Sequence, residues 1–214
     1  MGTSVIEEQE VLKQNLPVKG VFYDIGANIG FYATFAARLV GPDGACFAFA
    51  PFAPSADTCR RNARLNQFDH VTVVEAAVGA KEGQWTLELG KSTASHRLKA
   101  GGNGIAVRVV TIDQWRVEEG APASDLVMID VEGAEVDVLR GMLKTVTEAR
   151  PTIIVEVHWL GEPFHDLVVD HLVPLGYKLT TYAGEPAPSG LVRYHALIRC
   201  EERGRFHRWN RWAI

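Results

Sequence analysis

Cysteine is scarce and odd in number: Cys46, Cys59 and Cys200 are the three in 214 residues, at spacings that fit neither a disulfide framework nor a zinc site. They read as reduced thiols. No apolar stretch reaches the roughly 20 residues that cross a bilayer. The opening "MGTSVIEEQEVLKQ" also lacks the basic-then-apolar build of a signal peptide. The expectation is a cytoplasmic protein with no membrane span. A basic excess is missing too. A net charge of −4 disfavours a general nucleic-acid binder, which needs a cationic face for phosphates. The exception is the tail "RGRFHRWNRW", where arginines alternate with aromatics. Such residues more often pack back on their own domain, so nucleic acid is not an expected partner.

What is present is the material of one core. With 47% hydrophobic residues in 214, the chain falls in the one-domain range. Strand-like runs are expected at Val21 to Ile25, Ala45 to Ala50, Val71 to Val78, Leu126 to Asp130, Thr152 to His158, Lys178 to Tyr182 and Val192 to Arg199. Helical patterns lie between them: Phe31, Phe35 and Leu39 recur every four residues, and Val136, Leu139, Met142 and Leu143 share a face. Near-continuous apolar strands alternating with amphipathic helices imply an α/β fold, a mostly parallel sheet covered on both faces.

Two places break the alternation. "WTLELGKSTASHRLKAGGNGIAVRVVTIDQW" reads as strand, glycine-rich loop and strand, which predicts a hairpin or ordered flap over about 84–115, on the substrate side. The last two strands are divided by "AGEPAPSG", too short for a crossover helix, so the last strand runs antiparallel. The expected layout is a leading arm or helix over 1–16, one domain over 17–200, and a basic aromatic tail over 201–214.

The first strand ends "DIGANIGFY". In open parallel sheets a ligand sits beyond the carboxyl ends of the strands, beside the point where strand order reverses. The spacing is D-x-G-x-N-x-G and not G-x-G-x-x-G, so Ala27 and Asn28 occupy the stretch where a dinucleotide's pyrophosphate needs glycine. An acid at a strand end followed by two glycines suits a ligand with an amino group and no phosphate. S-adenosylmethionine fits, with Asp24 accepting from its ammonium and Gly26 leaving room for the methionine part. A tight turn with Asp24 capping the helix is the plainer use of the same residues.

These residues, together with "FAP" followed by "RRNARLN", "EAAVGAKEG", "VVTIDQW" and "LVMIDVEGAEVDVLRGM", resemble the FkbM-type methyltransferases, S-adenosylmethionine-dependent enzymes. The resemblance covers roughly residues 20–160, and I-D-x-E-G-x-E ahead of a helix is its most specific part. It implies a Rossmann-like seven-stranded sheet with a reversed final hairpin and O-methylation, with S-adenosylhomocysteine as the product. The acceptor would be a hydroxyl of a small molecule, sugar or glycolipid. The expected cofactor contacts are Asp24, Gly26, Asn28, Gly30 and Phe31, then Ala50 and Pro51, and Asp130; Glu75 and Ala76, at the carboxyl end of the third strand, would meet the adenine, and a plain buried strand is the other use of that run.

One departure stands out. The family's second strand usually ends F-E-P, the glutamate binding both ribose hydroxyls, and here the residue is Ala50. Two charge-assisted hydrogen bonds are absent, each worth about 1.5–3 kcal/mol. A cofactor-weakened or non-catalytic binding domain is therefore the alternative to an enzyme.

Asp130, Glu132 and Glu135 follow the fourth main strand, and Glu156 and His158 end the fifth. Three uses compete. Asp130 can face the methionine end of the cofactor while His158 or Glu156 takes the acceptor's proton. The same groups can hold a divalent metal, a less favoured reading. Or the glutamates favour a helix N-terminus and His158 is structural. The other histidines are scattered and carry no assigned role.

Overall fold

The computed structural model describes residues 5–90, 96–99, 101–187 and 193–201. In chain order the elements are α1 (Val5–Asn15), β1 (Val21–Ile25), α2 (Phe31–Val40), β2 (Ala45–Phe49), α3 (Ala53–Leu65), β3 (Val71–Val74) and β4 (Ala77–Val78). Then follow β5 (Gly83–Glu88), β6 (Arg97–Lys99), β7 (Ile105–Val110), α4 (Ile112–Glu118), β8 (Leu126–Ile129), α5 (Glu135–Arg140) and α6 (Leu143–Ala149). The chain closes with β9 (Thr152–His158), α7 (Gly161–Leu167), β10 (Tyr177–Thr180) and β11 (Arg193–Cys200).

Seven strands form one sheet in the order β10-β11-β9-β8-β1-β2-β3. All neighbours from β9 to β3 pair in parallel, and β11 runs antiparallel between β9 and β10. The strand order reverses at β1, which lies between β8 and β2, so the carboxyl ends of these three strands share one edge of the sheet.

Both faces are buried because alternate side chains of each strand enter different cores. Tyr23 and Ile25 point into one with Phe49, Trp115, Leu139 and Ile153, whereas Phe22 joins Leu12, Ala36, Val40 and Ile154 on the other. The Tyr23 ring meets Phe47, Phe49 and Trp115 edge-on, with centroids 5.4, 6.0 and 5.8 Å away. Each such pair adds about 0.5–1.5 kcal/mol beyond area burial. The helix α1, expected as an arm or helix, lays Val11 and Leu12 on the second core.

The run Val71 to Val78 is not one strand. It breaks at a turn in which the Ala76 amide donates to the Val74 carbonyl, and its second half, β4, leaves the main sheet. There β4 joins the expected flap, which is a four-stranded sheet in the order β4-β7-β5-β6. "VVTIDQW" has a local structural account. Thr111 caps α4 by accepting from the Gln114 amide, and Asp113 accepts from the Lys144 and Thr145 amides at 2.9 and 2.8 Å, tying the end of the flap to α6. From residue 202 on, the basic aromatic tail lies outside the described residues. No helix among the described residues is long and apolar enough to cross a membrane.

Candidate active site

A cleft opens at the carboxyl ends of β1, β2 and β8. Gly26, Asn28, Ala50, Pro51, Ala76 and Asp130 line it, joined by Val131, Glu132 and Ala134 of the β8–α5 loop. Of the expected cofactor contacts, Asp24, Gly30, Phe31 and Glu75 are not among the lining residues. Glu75 is exposed and paired to Arg60 at 3.2 Å, so the expectation that it meets a ligand beside Ala76 has no support in its placement.

The turn after β1 is clamped by protein on both sides. A Cβ on Gly26, whose φ is +94°, would stand 1.8 Å from the Asp130 carbonyl oxygen. One on Gly30, φ +82°, would stand 2.3 Å from Cys59 Sγ. The reason for glycine at 26 therefore differs from the expected one: the close backbone neighbour is the chain's own β8 end, and leaving room for a ligand is secondary. Asn28 adopts φ +49° and its Oδ1 accepts from Ser55 Oγ at 3.0 Å, while Asn62 Nδ2 donates to the Ile29 carbonyl. These contacts hold the turn against α3.

Asp24 lies beneath this turn, 3% exposed. The Ala33 amide of α2 hydrogen-bonds its carboxylate, as a helix cap would, but Oδ2 has no hydrogen-bond partner among the described residues. Burial, reinforced by Asp130, pushes Asp24 up to about 7 against the pull of that amide. A buried carboxylate with one unused oxygen can accept from a ligand's ammonium.

Asp130 is likewise pushed up to about 7, first by burial and then by Glu156. Behind it lies His158, fully buried, with Nδ1 2.8 Å from Glu135 Oε1 and Nε2 3.3 Å from Glu156 Oε1 and 3.8 Å from Glu132 Oε2. Burial alone would lower this imidazole, but Glu135 first and Glu156 next outweigh it and raise the ring to about 10. Nδ1 is therefore committed to Glu135, and the carboxylates around the ring favour its charged form.

The sequence reading missed two groups. His96, just before β6, lines the cleft with Leu87 and Leu98 of the flap, and its ring meets Phe52 edge-on at 4.8 Å. His195 on β11 sits opposite Glu156 in the strand register, with Nε2 3.3 Å from Glu156 Oε1 and Nδ1 3.3 Å from Glu8 Oε1 of α1. Both belong to the scattered histidines that carry no role in the sequence pattern. The cross-strand position of His195 depends on the final hairpin's register, which carries no local signal. Burial, and then Glu156 and Asp130, push Glu8 up to about 7.

Comparison with known proteins adds the family. The model described as Methyltransferase FkbM domain matches residues 24–179. The chain is 28% identical over 149 residues to the 2-O-methyltransferase NoeI of Sinorhizobium fredii, covering 61% of this chain and 60% of that protein. It is 26% identical over 159 residues to the hexuronic acid methyltransferase AglP of Haloferax volcanii, covering 71% and 62%. It thus spans about 60% of the length of these curated relatives. Among solved structures, a methyltransferase of Streptococcus mutans in complex with SAH superposes with a TM-score of 0.54 at 12% identity, over 93% of this chain and 99% of that one.

Proposed function

The chain belongs to the FkbM methyltransferase family, and from that premise we propose that it binds S-adenosylmethionine in the cleft and methylates a hydroxyl of a small molecule, sugar or glycolipid. The observation that carries the reading is the juxtaposition at the strand-order reversal: a rigid glycine turn with the unused Asp24 oxygen beneath it and Asp130 across from it. These groups fit the cofactor's amino-acid end: Asp130 lines the cleft, and Asp24, buried beneath the turn and outside that lining, would reach the ammonium through water. When bound, S-adenosylmethionine supplies an electrophilic methyl group on a sulfonium and leaves as S-adenosylhomocysteine. The names of the relatives NoeI and AglP support oxygen and sugar chemistry.

For the chain's own part, the acceptor oxygen must lose its proton as it gains the methyl group. Nδ1 of His158 is committed to Glu135, so Glu156, 16% exposed in its side chain, is the group proposed to take it. His158 then acts by holding Glu156 in place.

One observation favours a second reading. Ala50 lines the cleft where the family carries the ribose-binding acid, and Asp130 and Glu132 are the only carboxylates among the lining residues. A binding domain with a lost or weakened cofactor site would look the same. Calorimetry with S-adenosylmethionine and S-adenosylhomocysteine separates the two: binding tighter than about 100 μM supports the enzyme, and none at millimolar ligand sinks it.

A further inference from the structure

The ring of His158 is fixed on one side and unfinished on the other. Glu135 Oε1 accepts from the Gly133 amide and lies 2.8 Å from Nδ1, so that nitrogen is the one bearing the ring's first proton. Nε2 then faces Glu156 Oε1 at 3.3 Å, longer than a charge-assisted hydrogen bond, and has no hydrogen-bond partner among the described residues. A lone pair aimed at carboxylates is tenable only with a positive charge between them: a second proton, an ammonium or a metal ion. Asp130, Glu132 and Glu135 make no ion pair with lysine or arginine among the described residues.

Distances separate an ammonium from a metal. Two donors 3.3 Å apart subtend roughly 100° at an ion about 2.1 Å from each, near an octahedral edge. At an ammonium about 2.8 Å from each, they subtend only about 70°, well short of tetrahedral. One donor atom each from Asp130, Glu156 and His158 lie within 4.8 Å of one another, so a third ligand is in reach. We propose that Asp130, Glu156 and Nε2 of His158 form a site for one divalent cation of the Mn²⁺ or Mg²⁺ type, with Glu135 orienting the imidazole as an outer-shell partner. One nitrogen with carboxylate oxygens is a hard, mixed donor set. Asp130 also lines the cleft, so the ion would stand beside it. With Glu156 as a ligand, the ion would take over from it the task of easing the acceptor's proton away, so the inference refines the proposed methyl transfer, while the ion's binding stands apart from that reading.

The test is titration of the full chain with Mn²⁺ at pH 8, followed by electron paramagnetic resonance. The expected result is one bound ion with a Kd at or below about 100 μM, showing nitrogen modulation from an imidazole in the pulsed experiment. Glu135→Gln should weaken it roughly 10–100-fold, and His195→Asn should leave it in place. No binding at millimolar Mn²⁺, bound Mn²⁺ without nitrogen modulation, or binding untouched by Glu135→Gln overturns the site. So does loss on His195→Asn alone, which would move the ion to Glu8, Glu156 and His195. The nitrogen signal of the parent needs no variant to fold. Calorimetry with S-adenosylhomocysteine on the same samples keeps the readings apart: cofactor binding without Mn²⁺ removes the ion alone, and Mn²⁺ without cofactor removes the methyltransferase reading and leaves the ion.

Discussion

Oε1 of Glu135, at the start of α5, lies 2.8 Å from Nδ1 of His158, at the end of β9, and both side chains are fully buried. The same oxygen accepts from the Gly133 amide. Glu135 therefore orders the β8–α5 loop and fixes the ring that supports Glu156. Its place near a helix N-terminus, one of the uses weighed from sequence, is the smaller part of its role.

Removing one partner of a buried charged pair strands the other. Glu135→Ala should destabilise the fold by about 3–5 kcal/mol, whereas Glu135→Gln, which keeps an acceptor oxygen, should cost clearly less. Urea unfolding of the two variants checks this. Equal costs would show that the lost charge, and not the lost acceptor oxygen, sets the penalty.

Gly30 and Cys59 form the other tight contact. Gly30→Ala places a methyl group against Cys59 Sγ at a positive φ, and should lower stability by more than 1 kcal/mol. In the Gly30→Ala/Cys59→Ala double variant, part of that loss should return, a coupling of at least about 0.5 kcal/mol in a double-mutant cycle. Strict additivity would mean that backbone conformation alone demands the glycine.

Asp24 gives a pH signature. Its folded value of about 7 stands above its ordinary 3.8, so the native state binds the extra proton between these values. Stability contributed by this group falls as pH rises through that window, and the full cost is present above it. Asp24→Asn should match the parent near pH 4 and exceed it at pH 8 by about 2–4 kcal/mol. The same variant should lose S-adenosylmethionine affinity at least tenfold. A variant no more stable at pH 8 would show that Asp24 ionises normally.

Ala50 is 1% exposed, its amide donates to the Val74 carbonyl, and it lines the cleft. Ala50→Glu should place a carboxylate beside the ribose and raise S-adenosylmethionine affinity at least tenfold, about 1.4 kcal/mol. A 2′-deoxy analogue should lose most of that gain. If the analogue gains equally, the new charge attracts the sulfonium in general and does not face the ribose.

Local pattern alone determined the fold class and most of the sheet. The runs at Val21 to Ile25 and Thr152 to His158 coincide with β1 and β9, and those at Ala45, Leu126, Lys178 and Val192 lie within a residue or two of β2, β8, β10 and β11. Strands buried on both faces must be apolar throughout, and that is visible without neighbours. The glycine turn was legible for a related reason, since an acid and two glycines after a strand mark a sharp exit wherever they occur. Tertiary structure alone decided the rest. Whether Val71 to Val78 stays in one sheet, whether Glu75 faces the cleft or Arg60, and that His195, Glu8 and Glu156 meet from three elements are matters of register and docking. The partner that fixes Gly26 is a carbonyl 104 residues away, at Asp130, and the pair that orients the His158 ring spans 23 residues. Periodicity reports which face of an element is buried. It carries no information on which charge stands opposite, and at this site the opposing charges set the chemistry.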